Sequence, residues 1–253
     1  MKGLISSLLI FLLVGCSHRL VVPDNAKVMG HGGMGIKSLL PLDSYPSLLK
    51  AYNILDGTEG DVQMTKDCVL VYWHNSSLPK KKGIISSVVY DSLPKNRYIF
   101  KKYEIISVDS FLSSIDSGKI VSLDIKIYGL DDAGKKIFAK KLKSIAKKYS
   151  GKNIVFFETG DDLILEKLSN DHYNYTLFYY AGSGTDVLNK CDKANIDGIS
   201  MHFKFADASM VKKIKDKGCK VMLWGMHNVR DLKKAFEAGA DYYQTDKIKF
   251  KRK

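Results

Sequence analysis

Residues 57–75 read GTEGDVQMTKDCVLVYWHN and carry the most specific pattern in the chain. The first part predicts a β-strand in which two acidic residues, Glu59 and Asp61, are two positions apart. Alternate residues of a strand project to the same side, so both carboxylates face the same space. The apolar run from 69 to 73 predicts a second short strand, and His74 follows it directly. Charged side chains are rarely buried without a partner, so this arrangement indicates a site rather than core packing.

The alternation of compact apolar runs and longer amphipathic runs continues through the chain of 253 residues. It is typical of parallel strands connected by helices. Eight strands are predicted at 27–30, 57–62, 121–126, 153–157, 175–180, 198–203, 220–224 and 240–245. Helices are predicted between most of them, at 44–55, 131–149, 161–170, 184–194, 206–217 and 227–238. In a chain of this length the pattern predicts an α/β fold of the TIM (β/α)8 barrel type.

The second and third strands of this barrel are separated by far more residues than one helix needs. The extra segment contains the short strand at 69–73, and a helix predicted from 108 to 118 completes the connection. Long insertions in compact barrels are usually functional loops. We therefore expect one barrel domain, residues 27–253, with an insertion between strands 2 and 3.

The N-terminus has the order of a bacterial export signal. Lys2 precedes an apolar run that is too short to span a membrane, and the run ends at Gly15 and Cys16. The residues Leu-Val-Gly-Cys at 13–16 resemble a lipobox, which predicts a signal peptide at 1–15, lipidation of Cys16 and a linker at 16–26. The alternative is an ordinary signal peptide in which Cys16 is incidental. A lipidated chain would be anchored to a membrane of the bacterial cell envelope, on its periplasmic or extracellular face.

The chain is basic, with 40 Lys and Arg against 27 Asp and Glu and a formal net charge of +13. A positive charge favours anionic partners such as phosphate esters, nucleic acid or acidic membrane surfaces. The basic residues are scattered over the predicted helices, without an arginine-rich arm or a nucleic-acid-binding module. We therefore expect a solvated lysine-rich surface and no nucleic-acid partner, and the sequence leaves the oligomeric state open.

A third acidic residue, Asp124, lies on the third predicted strand with Lys126 two positions later. Both side chains are expected to point into the barrel, as are those of Glu59 and Asp61. Three hard oxygen ligands suit one divalent cation, Mg²⁺ or Ca²⁺. The alternative is an internal salt bridge between Lys126 and these acids, although buried ion pairs often fail to offset their own desolvation.

Two histidines complete the predicted site, His31 at the end of the first strand and His74 after the short strand of the insertion. Cleavage of a phosphodiester needs one group to remove a proton from the attacking hydroxyl and another to protonate the leaving alkoxide. Two imidazoles beside a carboxylate cluster can supply both. No motif connects the other histidines of the domain, His172, His202 and His227, to this centre.

These residues resemble the signature of glycerophosphodiester phosphodiesterases, members of the phospholipase C-like phosphodiesterase superfamily. The resemblance rests on His31-Gly32-Gly33, Pro41-Leu42-Asp43, Glu59 to Asp67, Val69 to Asn75, Leu123 to Lys126, Trp224, Gly239-Ala240-Asp241 and Thr245-Asp246. It implies that His31 and His74 form the acid/base pair and that the three acids hold the cation. It also implies that Lys126 contacts the phosphate and that Trp224 walls the pocket, where the alternative for Trp224 is plain barrel filling.

The implied reaction is hydrolysis of a glycerophosphodiester to glycerol phosphate and an alcohol. Two positions differ from the family pattern, with Gly32 where arginine is usual and Asn75 where an acid is usual. Lys126 or Lys204 is expected to supply the phosphate contact of that arginine. Two alternatives stay open, namely a lyase or hydrolase acting on intact phospholipid or envelope polymer, and a barrel that binds phosphorylated ligands without catalysis.

Overall fold

A closed barrel of eight parallel strands forms the centre of the molecule. The computed structural model describes residues 21–37, 39–79, 83–94, 96–98, 101–170, 174–182, 186–193 and 195–246. The strands are β1 (Lys27–Gly30), β2 (Gly57–Met64), β3 (Leu70–Tyr72), β4 (Asn96–Tyr98), β5 (Lys101–Tyr103), β6 (Ile120–Ile125), β7 (Ile154–Thr159), β8 (Thr176–Ala181), β9 (Gly198–His202), β10 (Lys220–Met226) and β11 (Tyr242–Thr245). Strand β1 pairs in parallel with both β11 and β2, which closes the sheet. The predicted TIM barrel is therefore confirmed.

Seven helices connect the strands or lie in the insertion of the described chain. They are α1 (Tyr45–Ile54), α2 (Val108–Ser114), α3 (Asp132–Tyr149), α4 (Asp162–Ser169), α5 (Val187–Lys193), α6 (Ala208–Asp216) and α7 (Val229–Ala238). The side chains of Asp131, Asp161 and Asp207 accept hydrogen bonds from the first turns of α3, α4 and α6. Such N-caps satisfy backbone donors that have no partner inside the helix, and they fix where each helix begins after its strand.

The insertion between the second and third barrel strands lies where the sequence predicts it. Strand β3 pairs antiparallel with the end of β2, with Val62 opposite Tyr72 and Met64 opposite Leu70. The segment also contains a small antiparallel hairpin of β4 and β5, which the apolar pattern does not reveal. Helix α2 then leads into β6, as expected. Because β3 runs antiparallel to the last residues of β2, the residues that follow β3 lie beside the carboxyl-terminal half of β2.

The barrel interior is arranged in layers along its axis. An apolar layer at the amino ends of the strands contains Met29, Ile120, Phe156, Phe178 and Met222. Phe156 on β7 packs edge-on against Tyr242 on β11, with 4.9 Å between ring centroids, although these strands are not neighbours. Since strand side chains alternate between faces, residues two and four positions further along each strand also point inward. These positions carry the polar groups of the site.

The described residues contain no helix that is long and apolar enough to cross a membrane. The predicted signal peptide at 1–15 and Cys16 lie outside the described residues, so both stay predictions.

Candidate active site

The carboxylates of Glu59, Asp61 and Asp124 come together at the carboxyl ends of neighbouring strands. In the register of the sheet, Asp61 on β2 lies opposite Asp124 on β6. One oxygen of each of the three residues lies within 4.8 Å of the others, and Glu59 and Asp61 are buried. The structure therefore brings together the three acids that were predicted to bind a cation.

The charges of this cluster are only partly balanced by the protein. Lys126 Nζ lies 3.0 Å from Asp61 Oδ1 and 2.6 Å from Asp124 Oδ2. Burial alone would lower the pKa of Lys126, but the two carboxylates raise it above its ordinary value. Burial, followed by repulsion from Asp61, raises the pKa of Glu59 well above its usual range. The predicted internal salt bridge thus exists, but one ammonium cannot neutralise three carboxylates.

The donor set fits a divalent cation. Three carboxylates with one lysine leave two negative charges, and all ligand atoms are hard oxygens of the kind that Mg²⁺ and Ca²⁺ prefer. A buried excess of negative charge is costly in the absence of a cation, as the raised pKa of Glu59 indicates.

His31 adjoins this cluster through the backbone turn that follows β1. The next residue, Gly32, has a φ of +50° and donates its N–H to Glu59 Oε2 at 2.7 Å. A Cβ atom at position 32 would lie 2.0 Å from Leu42 Cδ1. The conformation and the close contact both favour glycine. A side chain at position 32 would therefore meet the apolar end of Leu42.

The imidazole of His31 is oriented by a buried aspartate at the end of the last barrel strand. His31 Nδ1 lies 3.0 Å from Asp246 Oδ1, and the side chain of Asp246 is only 1% exposed. Burial would lower the pKa of His31, but Asp246, together with the charges of Asp61 and Asp43, outweighs burial and the pKa is raised. A carboxylate can only accept here, so Nδ1 carries the hydrogen and Nε2 is left for a substrate or water.

A second imidazole contacts the same aspartate. His227, at the turn between β10 and α7, is hydrogen-bonded through Nδ1 to Asp246 Oδ2. Burial alone would raise the pKa of Asp246, but the hydrogen bonds from His31 and His227 lower it below its ordinary value. His227 therefore lies beside the candidate site, although no sequence motif connects it to the other site residues.

His74 is exposed and lies beside a cavity of about 520 Å³. The described residues that line this cavity are Pro41, Leu42 and 73–79, and they do not include the three acids. The backbone N–H of the preceding residue, Trp73, donates to the backbone carbonyl oxygen of Asp61 at 2.8 Å, which connects this loop to the cluster. His74 Nδ1 is 3.4 Å from Asn75 Oδ1, a long contact that holds the ring only weakly.

Aromatic rings extend from Lys126 across the barrel mouth. Lys126 Nζ lies 5.7 Å from the ring centroid of Tyr180, and Tyr180 is stacked on Trp224 with 5.4 Å between centroids. His202 packs edge-on against Trp224 at 4.7 Å. Trp224 is half-buried, and its Nε1 has no hydrogen-bond partner among the described residues.

Lys204 is exposed and lies just after β9. Burial and the positive charge of Lys204 lower the pKa of His202. Lys204 therefore lies on the same side of the barrel mouth as the rings of His202 and Trp224. Within the described part of the chain, no hydrogen bond or ion pair joins the Lys204 ammonium to the acidic cluster.

The comparisons with known proteins agree with this geometry. The family model described as "Glycerophosphoryl diester phosphodiesterase family" matches residues 35–249, which is most of the chain. The chain belongs to this family. A search of curated proteins finds no match.

The barrel is also similar to solved structures that share little sequence identity with it. A protein from Galdieria sulphuraria has a TM-score of 0.76 and 19% identity, covering 90% of this chain and 95% of its own. A glycerophosphodiester phosphodiesterase from Parabacteroides distasonis has a TM-score of 0.71 and 21% identity, covering 89% and 94%. A phosphodiesterase from Oleispira antarctica, in complex with its product sn-glycerol-3-phosphate, has a TM-score of 0.68 and 16% identity, covering 88% and 93%.

Several residues around this candidate site were assigned no role from the sequence, although Asp43 and Asp246 are part of the motifs that carry the resemblance. Asp43 is buried with Oδ1 3.1 Å from the backbone nitrogen of Asp61, and burial raises its pKa well above the usual range. Glu158, opposite Asp124 in the sheet register, accepts hydrogen bonds from Ser122, Ser200 and Gln244. A strand pattern could have indicated Glu158, because it lies two positions after the inward-facing Phe156. Nothing local in the sequence indicates that His31 and His227 both contact Asp246.

Proposed function

We propose that this chain is a metal-dependent enzyme that hydrolyses glycerophosphodiesters to glycerol phosphate and an alcohol, with His31 and His74 as the acid/base pair. The observation that carries the proposal is the contact between the buried Asp246 and the partly exposed His31, next to an incompletely neutralised carboxylate cluster. A cluster that needs a cation and an imidazole with one reactive nitrogen are the two elements that this chemistry requires.

The cation would be held by Glu59, Asp61 and Asp124, and when bound it supplies positive charge for phosphate oxygens and a hydroxyl group. Lys126 lies at the edge of the same cluster, so its ammonium can stabilise charge on the non-bridging oxygens of the phosphate. The choice between Mg²⁺ and Ca²⁺ is left to experiment.

The proton transfers are assigned to the histidines. His31 has its Nδ1–H bound to Asp246, so its Nε2 can exchange a proton with the reacting oxygen while Asp246 stabilises the imidazolium. His74, exposed beside the cavity, is assigned the opposite transfer. In this family's chemistry a glycerol hydroxyl attacks the phosphorus, the alcohol leaves, and water then opens the cyclic phosphate.

Substrate binding is assigned to Lys126, Trp224 and Lys204. Trp224, stacked on Tyr180, offers an apolar wall near Lys126 for the glycerol or another carbon-rich part of the substrate. Lys204 is exposed on the same side and is suited to a second anionic group. The product-bound relative from Oleispira antarctica supports glycerol phosphate as the product.

The test is to incubate the protein with a panel of soluble glycerophosphodiesters and to follow products by phosphorus NMR, with Mg²⁺, Ca²⁺ or EDTA. His31→Asn and His74→Asn should each lower turnover by about 10²- to 10⁴-fold, the usual contribution of general acid/base catalysis. Asp216→Asn, which removes an exposed acid paired with Lys212, is the matched control and should keep full activity. Undiminished turnover in EDTA or in either histidine variant would contradict the mechanism.

A larger or membrane-bound substrate is the second candidate. The lipobox-like residues 13–16 favour it, together with Gly32 and Asn75 at the two positions that differ from the family pattern. Vesicles of intact phospholipid or a phosphodiester polymer, added to the same assay, separate the candidates. Accumulation of a stable cyclic phosphate would indicate a lyase. A thermal shift on addition of phosphodiesters, without any product, would indicate a barrel that binds them without catalysis.

We further propose that Cys16 carries the lipid anchor and that the protein resides in the cell envelope. Wild-type protein should incorporate radioactive palmitate when it is produced in bacteria, whereas Cys16→Ser should remain unlabelled. Absence of label in the wild type, or equal label in both proteins, would rule out the anchor at Cys16.

A further inference from the structure

Asp246 is held from both sides by imidazoles. Its Oδ1 accepts from His31 Nδ1 and its Oδ2 from His227 Nδ1. Its backbone N–H donates to the carbonyl of Met226 at 3.2 Å, so the end of β11 is fastened to the end of β10. The carboxylate is 1% exposed, whereas the side chain of His227 is 43% exposed. Each oxygen of this buried carboxylate thus has its own donor.

A carboxylate with a single donor can rotate about its Cβ–Cγ bond, and the direction of its hydrogen bond then varies. A second donor on the other oxygen removes that freedom. The orientation of Asp246 sets the orientation of the His31 ring, and with it the position of His31 Nε2. A displacement of about 1 Å is enough to slow the reaction, since bound groups react from a narrow range of geometries.

We infer that His227 is a positioning residue for His31, acting through Asp246. Its Nδ1–H holds Oδ2 of Asp246 so that Oδ1 remains aligned with His31 Nδ1. The expected effect of His227 on turnover rests on the proposed function. The structural part of the inference concerns only the side chains of His31, Asp246 and His227. His227 is separated from His31 by Asp246 and is not assigned any proton transfer to the substrate.

A different explanation is that His227 merely stabilises the turn between β10 and α7. The neighbouring Asn228 allows the two to be separated. Its Oδ1 accepts from the backbone N–H groups of Arg230 and Asp231, which caps α7. Asn228→Ala should therefore loosen the same turn, at a cost of stability typical of a lost N-cap, without removing either hydrogen bond to Asp246.

The experiment compares His227→Ala, His227→Asn and His227→Gln with Asn228→Ala in the full chain. The amide nitrogen of asparagine can occupy the place of Nδ1, whereas that of glutamine corresponds to Nε2. We expect His227→Ala and His227→Gln to lower kcat by about 10-fold with KM nearly unchanged, the size of effect seen when a supporting hydrogen bond is lost. His227→Asn should recover most of the loss, and Asn228→Ala should lower the Tm but keep kcat.

A second readout does not depend on activity. Nitrogen-15 NMR of the histidine rings should show His31 with hydrogen fixed on Nδ1 in the wild type and in His227→Asn, and a mixture of tautomers in His227→Ala. Unchanged kcat and an unchanged His31 spectrum in His227→Ala would overturn the inference, as would equal losses in the Asn and Gln variants. If no substrate is turned over, the proposed function fails, while the NMR comparison still decides the role of His227.

Discussion

The ammonium group of Lys126 lies 2.6 Å from Oδ2 of Asp124, the residue two positions before it. Lys126 also contacts Asp61, so it neutralises part of the cluster proposed to bind a cation. The lysine and a divalent cation therefore stabilise the same buried negative charge. This relationship makes the effects of Lys126 on cation binding and on turnover opposite in sign.

Replacing Lys126 with methionine should tighten cation binding and yet abolish most activity. Without the ammonium the three carboxylates are less neutralised, and we expect affinity for Ca²⁺ or Mg²⁺ to rise by about 10-fold, equivalent to about 1.4 kcal/mol. Turnover should fall because the phosphate loses its contact with Lys126. Calorimetric titration of EDTA-treated protein measures the affinity. The control is Lys212→Met, which removes an exposed lysine paired with Asp216 and should change neither the cation affinity nor the turnover. Weaker cation binding by Lys126→Met would contradict the charge argument.

Replacing Asp124 with asparagine should have the reverse effect on cation affinity. The substitution keeps the size of the side chain but removes one of three anionic ligands. The rise in Tm that saturating Ca²⁺ or Mg²⁺ gives to the wild type should shrink markedly in Asp124→Asn. Asp216→Asn removes the same charge from an exposed position and should keep the full rise. An equal rise in both variants would place the cation elsewhere.

The sequence was sufficient for the barrel and for the acidic cluster because both depend on local patterns. Glu59 and Asp61 are two apart on one strand, and Asp124 has Lys126 at the same spacing. The eight barrel strands were predicted close to their observed bounds, since buried parallel strands are apolar runs between helices.

Contacts between distant segments could not be predicted in this way. His31 and Asp246 are 215 positions apart, and they meet only because the barrel closes between β1 and β11. His227 joins them from the end of β10. The close approach of Leu42 to the space beside Gly32 also depends on the turn after β1, whose positive φ angles have no periodic signature. The closure of the barrel between β1 and β11 and the geometry of the turn after β1 therefore determine the positions of His31, Asp246 and Gly32.

The stability of the protein should depend on pH through Glu158. Burial, and then the negative charge of Asp124, raise the pKa of this side chain from 4.5 to about 7. A group whose pKa is raised in the folded state binds protons more readily there, so its contribution is complete below pH 4.5 and is lost as the pH rises through 7. The loss amounts to about 3 kcal/mol at most.

Urea unfolding between pH 4.5 and 7.5 in EDTA measures this effect. Glu158→Gln, which cannot ionise, should show a smaller decrease in the free energy of unfolding over that range than the wild type. Removing an exposed carboxylate with Glu237→Gln should leave the wild-type slope. Parallel slopes for wild type and Glu158→Gln would show that Glu158 is ionised throughout the range.

Adding a side chain at Gly32 should damage both stability and activity. Its φ of +50° disfavours other residues, and a new Cβ would lie 2.0 Å from Leu42 Cδ1. We expect Gly32→Ala to lower the free energy of unfolding by about 1 to 3 kcal/mol and to weaken cation binding, since Gly32 positions Glu59. Gly151→Ala is the control, because a Cβ there meets nothing within 4 Å and its φ is not positive.

The clash and the backbone strain at Gly32 can be separated with Leu42→Ala. In the double variant Gly32→Ala with Leu42→Ala the close contact is gone but the backbone angle remains. Part of the loss caused by Gly32→Ala should therefore be recovered, giving a favourable coupling free energy in the double-mutant cycle. Strict additivity of the two losses would mean that Leu42 moves aside at no cost. In that case the whole loss caused by Gly32→Ala would come from the backbone angle, which Leu42→Ala does not change.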